Sequence, residues 1–169
     1  MEEKTNVMRL LDQKKIPYIP HCYLDTGAVS GVEVAEALGE DPFRVFKTLV
    51  TVGRSNRNYV FVIPSPMELD LKKAAKLVGE KSIEMLKAKE LLPLTGYIHG
   101  GCSPIGMKKF FPTAIDASAL SFDTVCVSAG RVGYQVELDP KSFEKIIRVQ
   151  FAELVYHLPL FIEITFSTK

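Results

Sequence analysis

A glycine-rich stretch, His99-Gly100-Gly101-Cys102-Ser103-Pro104-Ile105-Gly106, constrains this chain more than any other segment. Three glycines and a proline within eight positions are typical of a loop, because glycine adopts positive φ and lets another group approach the backbone closely. One interpretation is a tight connection between two strands. The other is a site in which the amide N–H groups of Gly100 and Gly101 point outward and hold a carbonyl oxygen or a developing oxyanion.

Length and charge limit the class of protein that the rest of the chain can build around this loop. At 169 residues the chain suits one domain with a proper core, and 47% hydrophobic with 24% charged residues is ordinary for a soluble globular protein. Its 21 Lys and Arg nearly balance 20 Asp and Glu, so no global field favours nucleic acid. Contact with RNA would need a local basic patch and would be weak and salt-sensitive. The candidate lysines, each of which also suits a solvated surface, are Lys72, Lys73, Lys76, Lys108 and Lys109.

Cysteine and histidine spacing gives no sign of a metal or a disulfide framework. The three cysteines and three histidines are widely separated, and no CxxC pair occurs. We therefore expect no structural zinc site, no cofactor and no disulfides, which favours a reducing, cytoplasmic setting. Neither a signal peptide nor a membrane span is expected. The residues concerned are Cys22, Cys102, Cys126, His21, His99 and His157.

Hydrophobic periodicity predicts an irregular series of helices and strands. Helices are predicted over residues 6–15, 31–38 and 71–78 and after Asp139-Pro140, with a further helical pattern to about residue 157. Strands are predicted over residues 18–23 at a sheet edge, and over 43–52, 59–63, 113–116, 124–128 and 134–138; residues 83–94 read as a short strand and a helical turn or two. This order predicts one α+β or mixed α/β domain with a mixed, largely antiparallel sheet. Neither GxGxxG nor GxxxxGK[ST] is present, which argues against a doubly wound nucleotide-binding fold.

Lys47 is a candidate binding residue because its strand is apolar. Alternation places Lys47 on one face with Val45 and Leu49, where an unpaired ammonium is costly to bury. It either snorkels to solvent at the strand end or points into a pocket, where it would hold a carboxylate, ribose or phosphate.

Two further polar side chains have both a structural and a functional interpretation. Ser128 ends a predicted strand at a glycine-containing turn, so it either caps the turn or faces a site. Tyr23 is either a core or edge-strand aromatic or a hydroxyl donor that lines a cleft.

Cys102 is the alternative candidate as a nucleophile. It follows His99 by three residues, and a Cys/His hydrolase needs such a pair within hydrogen-bond reach. The competing interpretation is a small packed thiol. No histidine adjoins Ser128 in sequence, so a Ser-His-Asp mechanism has no positive support.

Four segments in order give a resemblance that no single loop gives. They are Phe46-Lys47-Thr48-Leu49, Leu69-Asp70-Leu71-Lys72-Lys73, Gly100-Gly101-Cys102-Ser103-Pro104-Ile105-Gly106 and Val127-Ser128-Ala129-Gly130. Over about residues 5–157 the chain resembles the YbaK/EbsC family, and within it the bacterial Cys-tRNA(Pro) deacylase branch. The resemblance implies a compact domain related to the editing insertion of bacterial prolyl-tRNA synthetase, built on a mixed, partly barrelled sheet with flanking helices. We accordingly assign residues 1–157 to this domain and 158–169 to a tail of unknown role.

The resemblance also implies a site and a reaction. Its residues would be Tyr23, Lys47, Thr48, Gly100, Gly101 and Ser128. By resemblance, Lys47 engages the terminal adenosine or its phosphate, the glycines hold the aminoacyl carbonyl, and Ser128 and Tyr23 line the pocket. The implied reaction is trans-editing: cysteine mischarged on tRNA(Pro) is removed by attack of the substrate's own thiol on its ester, with prolyl-tRNA synthetase as partner. Orientation and carbonyl polarisation then suffice for catalysis.

The chain departs from the family at Gln135, where several relatives have an aspartate. Glutamine cannot act as a base, so a carboxylate role at this position is excluded. The alternatives to a cysteine-specific enzyme are a deacylase for another small amino acid such as alanine, and a non-catalytic module that binds tRNA or the synthetase.

Overall fold

The computed structural model describes residues 3–156, which form four short α-helices and eight strands. The helices are α1 (Asn6–Gln13), α2 (Gly31–Leu38), α3 (Leu71–Val78) and α4 (Ala88–Thr95). The strands are β1 (Ile19–Cys22), β2 (Phe46–Gly53), β3 (Asn58–Pro64), β4 (Ile83–Met85), β5 (Thr113–Asp116), β6 (Val125–Ser128), β7 (Tyr134–Leu138) and β8 (Val149–Ala152).

The strands form two sheets that meet at one point. The larger sheet has the order β4-β2-β3-β5-β8, with parallel pairing of β5 to both β3 and β8 and antiparallel pairing elsewhere. The smaller sheet, β1-β7-β6, is antiparallel throughout. A parallel bridge between Val45 and Cys126 joins them. The predicted mixed α+β fold is confirmed, and the partial barrel that the bridge creates does not close.

Strand β3 lies at the centre of the fold and is buried on both faces. Val60 and Val62 pack into the core between the two sheets, while Phe61 and Ile63 pack on the opposite side, in the cluster that includes Ala74 and Ala75 of α3. Because successive side chains of a strand point to opposite faces, both sets can be buried only if both faces are covered. This accounts for a strand that is apolar without interruption.

Side-chain caps mark the starts of three helices. The Thr5 hydroxyl accepts from the Met8 N–H, Ser30 and Glu33 form a reciprocal capping box, and the Asp70 carboxylate accepts from two N–H groups of the first turn of α3. Each satisfies backbone donors that a helix start otherwise leaves without partners.

Two helix predictions from the sequence are wrong. The helix expected after Asp139-Pro140 is a 3-10 turn, Pro140–Lys145, and the further helical pattern is the strand β8, which pairs with β5. The glycine-rich stretch does not connect two strands, because α4 precedes it and β5 follows it. The predicted tail, 158–169, lies outside the described residues.

Candidate functional site

An unpaired stretch of sheet edge forms one wall of the candidate site. Strand β4 pairs with Thr51–Gly53 of β2, and among residues 3–156 no strand pairs along the earlier part of β2 on that side. The Val50 carbonyl, which accepts from the Leu86 N–H at 3.0 Å, points to this edge. Backbone groups alternate in direction along an antiparallel strand, so the N–H and C=O of Thr48 point to the same open edge.

Strand β6 forms the opposite wall. A parallel bridge joins Val45 to Cys126. Lys47 and Ser128 each lie two residues further along the chain from this bridge, and both line the space beyond it. The space beyond the bridge is a cavity of about 470 Å³, within the range of small-molecule sites.

Five of the six residues predicted from the sequence line this cavity: Tyr23, Lys47, Thr48, Gly100 and Ser128. Gly101 is buried and is not among the lining residues. A larger, apolar groove of about 860 Å³ lies elsewhere, between α1 and residues 146–150, and includes none of the six. Pocket size and the predicted chemistry therefore disagree, and we place the candidate site at the smaller cavity because the polar groups converge there.

The side chain of Thr48 supplies an unsatisfied hydroxyl. Among residues 3–156, Thr48 Oγ1 is the one buried side-chain nitrogen or oxygen atom that lacks a hydrogen-bond partner. A buried hydroxyl without a partner destabilises a fold by about 1–3 kcal/mol. Because Thr48 also lies in the wall of the cavity, its hydroxyl is a candidate to bond a ligand.

Lys47 brings a half-buried ammonium to the same wall. Burial lowers its pKa below the usual 10.5, and the negative charge of Glu68 opposes that effect only in part. Within the described part of the chain, no carboxylate oxygen lies within 4.0 Å of its Nζ. The charge is thus partly desolvated and not neutralised by a close ion pair, which suits a group that binds an anionic or polar ligand.

Of the two glycine N–H groups predicted to face a ligand, the glycine-rich loop leaves one free to do so. Gly100 has φ +87°, a conformation that strains any side chain, and between residues 3 and 156 its N–H has no acceptor. The Gly101 N–H donates to the Ile98 carbonyl at 3.0 Å, so the prediction that both amides point outward is wrong. A side chain at Gly101 would be crowded, because its Cβ would lie 3.0 Å from the Val132 nitrogen.

The positions of Ser128 and Tyr23 are compatible with both the structural role and the site-lining role predicted for each residue. Ser128 Oγ accepts from the Gly130 N–H at 3.1 Å, which caps the turn, and the residue also lines the cavity. The Tyr23 side chain is buried, and burial raises the pKa of its phenol. A phenol with a raised pKa stays protonated at neutral pH and can donate a hydrogen bond into the cavity.

Cys102 also lines the cavity but is poorly suited to attack a substrate. Burial raises the pKa of its thiol to about 12, so the thiolate is scarce near neutral pH. Reactive cysteines have lowered pKa values, because the thiolate is the nucleophile. His99 lines the same cavity, but it does not lower the pKa of the Cys102 thiol.

Gln135 links the cavity to a polar cluster that the sequence did not predict. Its Nε2 donates to Glu40 Oε1 at 2.6 Å, and Glu40 lies with His21, Cys126 and Glu137 in a group whose metal-binding atoms are all within 4.8 Å of one another. His21 and Cys126 are widely separated in the sequence, and the fold brings them together in this group. No spacing signal marks this group, because its members come from four separate segments.

A comparison with protein-family models decides the family. The model described as the aminoacyl-tRNA editing domain matches residues 26–146, more than half of the chain. The chain belongs to the aminoacyl-tRNA editing domain family. The resemblance noted from the four sequence segments is thereby confirmed.

Two relatives of this editing domain have names that refer to the deacylation or charging of tRNA. EbsC of Enterococcus faecalis, whose name proposes a Cys-tRNA(Pro)/Cys-tRNA(Cys) deacylase, is 48% identical over 154 residues, covering 90% of this chain and 94% of EbsC. A proline–tRNA ligase of Shouchella clausii is 31% identical over 102 residues, covering 60% of this chain but 18% of the ligase. The likeness to the ligase thus concerns one segment of a much longer enzyme.

Solved structures share the fold of the editing domain. A crystal structure described as a proposed trans-editing enzyme for prolyl-tRNA synthetase superposes with a TM-score of 0.78 at 25% identity, covering 92% of this chain and 100% of that one. A hypothetical protein called APE2540 gives a TM-score of 0.80 at 21% identity, covering 90% of this chain and 100% of that one. Separately, none of the helices within residues 3–156 has the length and apolar character needed to cross a membrane.

Proposed function

We propose that this editing domain is a trans-editing aminoacyl-tRNA deacylase that removes cysteine mischarged on tRNA(Pro). The observation that carries the proposal is the convergence, at one open sheet edge, of the half-buried Lys47 ammonium with the Thr48 hydroxyl and the Gly100 amide, neither of which has a partner within residues 3–156. Family membership and the name of EbsC, at 48% identity, support the same assignment. No cofactor or metal takes part in the proposed reaction.

In this proposal the 3′-terminal adenosine and its aminoacyl ester occupy the cavity. Lys47 binds the adenosine or its phosphate, and Thr48 bonds the substrate through its hydroxyl and its open-edge backbone groups. The Gly100 amide polarises the ester carbonyl, and Tyr23 and Ser128 line the remaining wall. Gly101 acts indirectly, because its lack of a side chain allows the loop to approach Val132.

The protein supplies no nucleophile in this mechanism. The thiolate of the substrate cysteine attacks its own ester carbonyl, the ester C–O bond breaks, and the ribose oxygen leaves with a proton as the 3′-end hydroxyl. The cyclic thiolactone that forms is then hydrolysed to cysteine by water. Intramolecular attack of this kind has a high effective molarity, so the site has mainly to orient the ester and stabilise the oxyanion. The raised pKa of Cys102, about 12, accords with a protein thiol that stays out of the reaction.

Selection of the tRNA is assigned to prolyl-tRNA synthetase as partner. A chain with a formal net charge of +1 has little field of its own with which to hold a tRNA body. Charging of tRNA takes place in the cytoplasm, and the proposal places the protein there.

Turnover of purified mischarged tRNA by wild-type protein and Lys47→Ala tests the assignment. We expect wild type to deacylate cysteinyl-tRNA(Pro) faster than alanyl-tRNA(Pro), and Lys47→Ala to fold yet lose well over tenfold in rate. A charge-assisted contact contributes about 1.5–3 kcal/mol, which corresponds to that range of loss. Lys47→Arg should restore the rate only in part, because a planar guanidinium differs from an ammonium in shape and hydration.

Three outcomes would contradict the proposal in different ways. Binding of charged tRNA without turnover would favour a non-catalytic module, and faster cleavage of the alanyl ester would favour the alanine deacylase. A folded and fully active Lys47→Ala protein would show that Lys47 only extends to solvent.

A further inference from the structure

Four side chains with metal-binding atoms converge: three lie on one face of the small sheet, and the fourth belongs to the second residue after α2. Cys126 of β6 and Glu137 of β7 are direct cross-strand partners, and His21 of β1 pairs with Gln135, two residues from Glu137 on the same face. Glu40 completes the group, in which one donor atom from each residue lies within 4.8 Å of the others.

The group is partly enclosed and is not a patch of surface carboxylates. Cys126 is 1% exposed, and the side chains of Glu40 and Glu137 are 12% and 17% exposed. His21, at 25%, is the most accessible member and provides a route for an ion from solvent.

One oxygen of each carboxylate bonds a partner outside the group, and the other oxygen faces the other members of the group. Glu137 Oε2 accepts from Thr124 Oγ1 at 2.6 Å and from Arg44 Nη2 at 3.2 Å. Glu40 Oε1 accepts from Gln135 Nε2 at 2.6 Å. Partners of this kind orient the ligands of metal sites from outside, and their loss weakens metal binding.

The inward atoms form a compact cluster of mixed donors. Glu137 Oε1 lies 2.8 Å from His21 Nε2, which lies 3.8 Å from Glu40 Oε2. The Cys126 thiol donates to that same Glu40 oxygen at 3.1 Å. Bond lengths of about 2.0–2.3 Å to a tetrahedral zinc ion put its ligand atoms about 3.3–3.8 Å apart, so small shifts of these atoms would suffice to enclose one.

We propose that His21, Glu40, Cys126 and Glu137 form a closed, four-ligand binding site for Zn²⁺. One nitrogen, one sulfur and two carboxylate oxygens suit zinc, whereas Mg²⁺ and Ca²⁺ prefer oxygen alone. On binding, the Cys126 thiol releases its proton to solvent and a zinc–sulfur bond forms. The two carboxylates and the thiolate carry a total charge of −3, so the ion leaves −1 on the site, and the Arg44 guanidinium beside Glu137 offsets that charge.

The ion would act as a structural clamp behind the cavity. It would join β1, β6 and β7 to the end of α2 and fix Glu40, which holds the amide of Gln135 in the cavity wall. The proposal does not depend on the deacylase activity, because it concerns binding of an ion and not turnover.

Co²⁺ titration of the reduced, chelator-treated full chain tests the site, since tetrahedral cobalt bound by a thiolate gives a charge-transfer absorption band. We expect the band to saturate at one equivalent and to disappear when Zn²⁺ is added. Cys126→Ser should abolish it, while the matched control Cys22→Ser should retain it, because Cys22 is exposed and points away from the face that carries His21. Absence of stoichiometric binding to wild type, or a band that survives Cys126→Ser, would overturn the proposal.

His21→Ala provides a second test that does not disturb the buried thiol. The partly exposed ring can be removed without opening the core, and we expect Zn²⁺ affinity to fall at least tenfold. Zn²⁺ should raise the Tm of wild type and leave the Tm of His21→Ala unchanged at the same concentration. Equal affinity and an equal Tm rise in both proteins would also overturn the four-ligand site.

Discussion

Thr48 is the residue at which stability and function should separate most clearly. Thr48→Val keeps the shape of the side chain and removes the buried hydroxyl that has no partner among residues 3–156. We expect the free energy of unfolding to stay the same or to rise, by up to about 1 kcal/mol, because an unsatisfied polar group has been removed. Deacylation should fall about tenfold if that hydroxyl bonds the substrate. Urea unfolding and the rate on cysteinyl-tRNA measure the two effects, and unchanged activity would make Thr48 a purely structural residue.

Cys102 should be dispensable for the chemistry. Its thiol is held protonated by burial, with a pKa of about 12, so Cys102→Ala should keep most of the activity and lose only what packing costs. Seryl-tRNA should be a much poorer substrate than cysteinyl-tRNA, because a hydroxyl stays protonated where a thiol ionises. Rates on both substrates, with trapping of any covalent intermediate, provide the measurement. A folded but inactive Cys102→Ala protein, or an aminoacyl group captured on Cys102, would favour a Cys/His hydrolase instead.

The pH dependence of the rate should reflect two groups that titrate in opposite senses. The rate should rise with ionisation of the substrate thiol, whose ordinary pKa is about 8.5. It should fall again at higher pH as Lys47 loses its charge, and the fall should begin below 10.5 because burial lowers the pKa of Lys47. In Lys47→Arg the falling limb should vanish, since a guanidinium stays charged throughout this range. A falling limb that persists in Lys47→Arg would belong to some other group.

At the scale of elements, the features that the sequence predicted are those decided by neighbouring residues. The α3 helix begins after the Asp70 cap and ends at Gly79, where φ is +75°, and both signals lie within a few residues of the helix they limit. Strand β1 lies at a sheet edge, as its prolines indicate. These features follow from local hydrogen bonding and backbone geometry, which depend on residues close together in the sequence.

Strand β8 shows why the rest could not be predicted in the same way. The spacing of Phe143, Ile146 and Ile147 suits a helix face, yet Phe143 belongs to a 3-10 turn, and the chain then pairs with β5. Parallel pairing with residues 113–116 is a long-range contact, and it overrides a weak local preference. Phe143 is buried, whereas Ile146 and Ile147 are only partly buried and lie in the connection between the turn and β8.

The candidate site was predictable in its residues but not in its architecture. Motif resemblance identified five residues that line one cavity, whereas the open edge of β2 depends on how short β4 is and on the bridge from Val45 to Cys126. The Gly101 N–H is already bonded within the loop, and this likewise depends on the position of the Ile98 carbonyl. Both are properties of the folded backbone, and no residue pattern records them.

At the scale of the whole molecule, near-neutral charge limits what the domain can do alone. A formal charge of +1 gives no long-range attraction for a polyanion, and one of the lysines considered for a basic patch, Lys73, donates to the Val155 carbonyl. Local contacts must therefore hold the tRNA end, while recognition of the remaining tRNA needs another source of affinity. The proposed partnership with prolyl-tRNA synthetase supplies that source.

This division of labour predicts that binding by the domain alone depends more strongly on salt than binding in the presence of the synthetase. Affinity of the isolated domain for cysteinyl-tRNA(Pro) should fall steeply between about 50 and 200 mM salt, because phosphate contacts release counterions that added salt restores. Addition of prolyl-tRNA synthetase should lessen this dependence and increase the preference for tRNA(Pro) over unrelated tRNAs that carry the same cysteinyl ester. Deacylation rates on the two kinds of tRNA, at both salt concentrations and with or without the synthetase, measure both effects.

Alanine-charged tRNA(Pro) controls for the amino acid, since the synthetase should change selection of the tRNA and leave the ratio of cysteinyl to alanyl cleavage unaltered. Equal rates on all cysteinyl-tRNAs, unaffected by the synthetase, would show that the domain recognises only the aminoacylated end and works without this partner.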